Sequence, residues 1–224
     1  MRAKLAEIQG RRRARRFIDT LWPDDGPYRR ELYPKHLQFF EAGRFYKERG
    51  FIAGNRVGKT LAGGTELTYH LTGEYPDWWP GRRFDEPTRC IAAGDTYEST
   101  RDIIQNKLCG PWEDIGTGLI PGDAIIGRDL RAGVSKAMSE VYVRHVSGGT
   151  STLSLRSYDQ GRKLFQGVER HFCWCDEEPP LDIWTEMLTR TMAVGDFAGG
   201  LMIGTFTPLS GMSDVVLAFM EDGD

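Results

Sequence analysis

The 224 residues, 40% hydrophobic and 27% charged, have the composition of an ordinary globular chain that can bury a core as one domain, with or without an appendage. No run of about 18 apolar residues and no apolar leader near the N-terminus occur, which argues against a membrane span and a secretory signal. The formal net charge of −3 is unevenly spread: residues 1–16 hold seven Lys or Arg against Glu7 alone, a local +6 that leaves −9 on the remainder.

The chain divides into a basic arm and entry segment, residues 1–32, and a domain over 33–224. The arm, with Arg2, Lys4, Arg11, Arg12, Arg13, Arg15 and Arg16, either touches nucleic acid or an acidic partner, or is a solvated terminus. "DTLWPDDGPYRRELYP" (19–34) is broken by Pro and Gly, and an amphipathic stretch follows over 35–48. A buried strand is expected at 51–53, then a glycine-punctuated loop and a helix over 59–71 that Gly73 stops. "EYPDWWPGRRFDEP" (74–87) is a rigid connection whose tryptophans pack. A second buried strand is expected at 88–95 and a helix at 96–110 with Thr96 as N-cap.

Residues 111–139 are Gly-rich and read as irregular. "EVYVRHV" and "STLSLRSY" alternate at period two around "SGGT", which predicts an antiparallel hairpin. A strand over 171–180 ends in acid, a helix covers 181–194, and a last buried strand covers 199–208. Cys90, Cys109, Cys173 and Cys175 are too sparse for a disulfide framework and lack CxxC spacing, so they read as reduced thiols in a cytosolic protein, with Cys173 and Cys175 on one face of a strand. Short apolar strands alternating with helices imply an α/β fold: a central, mostly parallel sheet flanked by helices, plus the hairpin.

Three strand ends carry chemistry. "AGNRVGKT" (53–60) follows a strand and opens a helix, the placement a phosphate-cradling loop requires, although Ala53 stands where the strict pattern has Gly. Gly54, Asn55, Arg56, Val57 and Gly58 would bring backbone N–H groups to phosphate oxygens. Lys59 would reach the β- and γ-phosphates, and the Thr60 hydroxyl would ligate Mg²⁺. In "FCWCDEE" the strand delivers Asp176 where a metal-binding carboxylate is needed, and Glu177 follows as a group to deprotonate water. "GTFTP" ends the last strand with Thr205 and Thr207, which either sense the γ-phosphate or simply close the strand. Upstream, Gln38 can bond an adenine edge in a bidentate way, with Tyr33 or Phe39 stacking; a surface glutamine on an amphipathic helix is the alternative.

These elements in this order resemble the ATPase domain of the large terminase subunit of tailed bacteriophages, over about Tyr33 to Met220. The resemblance implies a P-loop NTPase fold of the ASCE type. It further implies an Mg²⁺-dependent ATPase that drives double-stranded DNA into a prohead, and roles for Lys59, Thr60 and Asp176 at phosphate and metal. Glu177 would be the catalytic base, Gln38 would contact adenine, and Thr205 to Thr207 would couple hydrolysis to movement. It implies a homo-oligomeric ring, portal and small-terminase partners, no membrane, and a place in the host cytoplasm with transient docking on the prohead. Motors of this family use an arginine from a neighbouring subunit, for which Arg162, Arg170 and the weaker Arg156 are candidates. Asn55, where many relatives have arginine, leaves a γ-phosphate role for Arg56 open. No segment after "GTFTP" matches the family's nuclease domain, so DNA cleavage is not expected of these residues. The competing readings are a helicase-like nucleic-acid-dependent ATPase and a nucleotide-binding docking module without turnover.

Overall fold

The computed structural model describes residues 10, 15–192, 199–208, 211 and 213–221. Seven strands form one sheet: β1 (Glu48–Ile52), β2 (Arg89–Gly94), β3 (Ile125–Leu130), β4 (Met138–Arg144), β5 (Thr150–Ser157), β6 (Phe172–Asp176) and β7 (Leu201–Phe206). Their order is β1-β7-β6-β2-β5-β4-β3, parallel from β1 to β5 and antiparallel across β5-β4-β3. Helices α1 (Pro34–Ala42), α2 (Lys59–Thr72), α4 (Leu181–Thr191) and α5 (Asp214–Glu221) accompany it. A composite helix α3 runs as Tyr97–Ser99, a π-helical stretch Thr100–Gln105, and Asn106–Cys109.

Side-chain alternation along the parallel strands sends successive residues to opposite faces, and each face has its own core. Cys90, Ala92, Phe172, Trp174, Leu201 and Ile203 pack with α2 on one side. Ile91, Ala93, Cys173, Cys175, Met202 and Phe206 pack with α4 and α5 on the other. Cys173 and Cys175 thus share a face, and all four cysteines are buried free thiols. Burial pushes the Cys175 thiol up to about 12, which makes it inert.

The hairpin, the helix that ends at Gly73 and the Thr96 cap form as the sequence predicts. Gly73 takes the left-handed conformation that ends α2, and Thr96 and Ser99 make a reciprocal capping box. Three features differ. The first strand starts at Glu48, three residues before its apolar run, because Arg49 is buried as an ion pair with Glu66 at 2.6 Å and stacks over Phe39. Residues 111–139 contain β3, which alternation does not reveal because most of its side chains are exposed. The entry segment joins the domain: Ile18 and Trp22 belong to the main core, and the Trp22 indole donates to Thr65. Of the basic arm, Arg15 and Arg16 are described; Arg2, Lys4, Arg11, Arg12 and Arg13 lie outside the described residues. No described helix is long and apolar enough to cross a membrane.

Candidate functional site

The parallel register brings the C-terminal ends of β1, β6 and β7 to one edge of the sheet. Asp176 pairs with Thr205, and Phe51 with the same Thr205 from the other side. One step beyond, the Ala53 amide bonds the Phe206 carbonyl and the Glu177 amide bonds the Thr205 carbonyl. The loop 53–60 starts where this ladder stops and feeds directly into α2. Open parallel sheets bind ligands at this edge.

Within the loop, Arg56 and Gly58 both have left-handed backbones, with φ of 63° and 87°. Gly54, Asn55, Arg56 and Val57 are exposed, whereas Lys59 is buried. The Lys59 ammonium donates to the Gly54 carbonyl at 2.7 Å and to the Thr207 hydroxyl at 3.0 Å. Thr207 in turn donates to the Asn55 side-chain oxygen at 2.8 Å. The tip of β7 is therefore in direct contact with the loop and its lysine.

A second chain of bonds centres on Asp176, which is 3% exposed. Its carboxylate accepts from Thr60 at 3.0 Å and from Thr205 at 2.7 Å, and Thr205 accepts from the Trp174 indole at 2.7 Å. Burial pushes the Asp176 carboxyl up to about 6; the bonds from Thr205 and Thr60 pull it back, and the neighbouring Glu177 adds to the rise. A hydroxyl and a carboxylate are the hard oxygen donors that Mg²⁺ takes when it keeps most of its water and substrate ligands, so the pair fits that ion. Glu177 is exposed, with φ of 69°, and its carboxylate hydrogen-bonds no described side chain. Glu178, next along, is half-buried.

The remaining candidates are dispersed. Gln38 is exposed in a groove of about 970 Å³ that runs along β1 and includes Ile52 and Ala53. Phe39 is 7% exposed, packs in the core and lines the same groove as Gln38. Tyr33 lies in a different cavity, about 540 Å³, on the other flank of the loop with Arg56, Val57, Gly58 and Leu61. His36 also lines that cavity and supports the loop from below: a Cβ at Gly58 would sit 3.1 Å from its Nε2, and burial lowers its pKa. Sequence reasoning missed His36, because a lone histidine on an amphipathic helix carries no pattern. Arg162 bonds Glu186 of α4 at 2.7 Å, and that carboxylate also holds Arg190. Arg170 reaches the Cys90 carbonyl, and Arg156 is paired with Glu140.

Comparison with known proteins gives the family. Residues 51–223 match the family model described as terminase large subunit, T4likevirus-type, N-terminal. The chain is 39% identical over 210 residues to the large terminase subunit of Salmonella phage P22, covering 85% of this chain and 41% of that protein. The large terminase of bacteriophage HK97 has a similar fold, with a TM-score of 0.58 at 12% identity over 94% of this chain and 41% of that one. The large terminase of a thermophilic bacteriophage, in complex with ADP, gives a TM-score of 0.52 at 15% identity over 78% of this chain and 37% of that one. The fold is thus a P-loop NTPase fold of the ASCE type, and the chain spans less than half the length of the relatives it matches. With a family model over most of its residues and a curated relative well above 30% identity, the chain belongs to the terminase large subunit family and corresponds to its N-terminal part.

Proposed function

We propose that the chain is the ATP-hydrolysing unit of a genome-packaging motor that moves double-stranded DNA into a viral prohead. The observation that carries this reading is the meeting of three distant segments: Thr60 with Asp176, Asp176 with Thr205, and Lys59 with Thr207, all within hydrogen-bond distance. Lys59 and the amides of Gly54 to Gly58 hold the β- and γ-phosphates. Thr60 and Asp176 hold Mg²⁺, which when bound offsets the charge of the phosphate oxygens. Glu177 takes a proton from water as the water oxygen bonds to the γ-phosphorus, and the bridging oxygen leaves with ADP.

Thr205 and Thr207 relay the γ-phosphate's departure, since each touches a phosphate-side group. Gln38 contacts adenine from the groove at Ala53, with the cavity at Tyr33 as the competing position. The working form is a ring in the host cytoplasm that docks on the portal and the small terminase subunit. In it Arg162, whose side chain is 53% exposed, leaves Glu186 and reaches the neighbour's γ-phosphate. In an assembled motor Arg162→Ala should then cut turnover by about 10³-fold or more; turnover at the parent rate would assign that task elsewhere.

The test of the site is Mg²⁺-dependent ATP hydrolysis by the purified chain, with ADP affinity measured alongside. Glu177→Ala should lose about 10²-fold or more in turnover with affinity retained. Binding without turnover in either protein would mean that the site is incomplete in isolation and needs the arginine a neighbouring subunit supplies. In the same titration, Gln38→Ala should weaken ADP; if Tyr33→Ala does so instead, the base lies on the other flank of the loop.

A further inference from the structure

We propose that Tyr158 is a positioning residue for Glu177: its phenol pins the Asp176–Glu177 turn and so aims the Glu177 carboxylate. This rests on the reading of Glu177 as the base. Tyr158 follows β5, two strands away from β6 in the sheet, and reaches across β2 to the turn. Its hydroxyl lies 3.1 Å from the Ala93 carbonyl at the end of β2, 3.3 Å from that of Asp176 and 3.1 Å from that of Glu177. A phenol has one hydrogen, and here three carbonyl acceptors share it.

The turn needs such a clamp. Glu177 has φ of 69°, in the left-handed region that residues with a Cβ seldom occupy and that persists only where the surroundings impose it. Its side chain is exposed and bonded to no described side chain, so backbone alone sets the direction in which the carboxylate leaves. The amide is held by the Thr205 carbonyl at 3.2 Å, and the carbonyl by Tyr158. Released at the carbonyl, the residue can relax toward ordinary φ and turn its Cα–Cβ bond away. Asp176, held by Thr60 and Thr205, would stay where it is.

Tyr158→Phe removes the hydroxyl and leaves the ring in its cluster with Phe165, Cys175 and Ile91. Single-turnover ATP hydrolysis with protein in excess, and amide hydrogen exchange at Glu177, read the consequence. Turnover should fall at least about 10-fold with KM for ATP and ADP affinity unchanged, because Lys59 and Thr60 are untouched. Exchange at the Glu177 amide should quicken by a similar factor while the amides of central β7 stay protected. In a Glu177→Ala background, Tyr158→Phe should cost nothing further, whereas a merely structural tyrosine would add its loss. Parent-like exchange at Glu177, or an additive loss in the double variant, overturns the proposal. Parent-like turnover by Glu177→Ala alone would instead overturn the base assignment on which it rests.

Discussion

At neutral pH Asp176 carries a charge in a place that disfavours it. Its carboxyl is pushed to about 6 by burial, against 3.8 for the free group. Between those values the folded protein binds more protons than the unfolded chain, so stability falls as pH rises through the window and the full cost, about 3 kcal/mol, is present above it. Asp176→Asn should therefore raise the Tm in chelator at pH 7.5 by several degrees, with the gain vanishing near pH 4, while Mg²⁺-dependent nucleotide binding is lost. Thermal denaturation between pH 4 and 8 checks it; a gain independent of pH, or a loss at pH 7.5, would show that the Thr60 and Thr205 bonds outweigh the buried charge. At this scale Lys59, Thr60, Asp176 and Glu177 stand out as candidates in the sequence because each lies in a short pattern next to a strand end. His36 and Tyr158 do not, since their partners (Gly58 for one; Ala93, Asp176 and Glu177 for the other) lie far along the chain and no local spacing encodes the contact.

Helix α2 shows how an element is placed as well as formed. Gly63 and Gly64 are poor helix formers in a helix interior, yet a Cβ at Gly63 would sit 2.6 Å from the Trp174 indole, and one at Gly64 2.6 Å from Leu119. The glycines let the helix lie close against β6, and Trp174, pressed there, donates to Thr205 and so orients the hydroxyl that bonds Asp176. Gly63→Ala should gain about 1 kcal/mol in helix propensity and lose about 1–3 kcal/mol to overpacking. The expected outcome is a net fall in urea midpoint with a lower hydrolysis rate; a higher midpoint at full activity would mean that Trp174 yields freely. The sequence located α2 well because the loop before it and Gly73 after it bound it, and β7 because its apolar run is almost unbroken. It placed the start of β1 three residues late and left out β3. In β1 a buried ion pair occupies the inward position, and in β3 the exposed side chains follow no alternation.

On the scale of the whole molecule, the described end of the basic arm meets the domain through Arg15, whose carbonyl accepts from the Gly122 amide and whose guanidinium reaches Asp114, and through Arg16. The Arg16 guanidinium contacts Asp19, Glu74 and Asp123, which lie in the entry segment, after α2 and before β3. Two truncations separate the roles. Removing residues 1–14 should leave the Tm within about a degree and weaken duplex DNA binding in a salt-dependent way if the arm contacts phosphates. Removing 1–16 should also destabilise the domain, by about 1 kcal/mol or less because Arg16 is one-third exposed. DNA affinity unchanged from that of the full chain across a salt series in both truncations would make the arm inert.

The sequence by itself determined the class of sheet, the glycine-punctuated loop between a strand and a helix, the acid pair and the hydroxyl-bearing last strand, because strand period, helix caps and motif spacing are local properties. Only the tertiary structure decided which of these touch: that Thr60, Asp176 and Thr205 form one chain of bonds, that Thr207 meets Lys59, and that Arg162 is held by Glu186. Those contacts depend on strand order and register, which are fixed by how two cores pack on opposite faces of the sheet and not by any stretch of neighbouring residues.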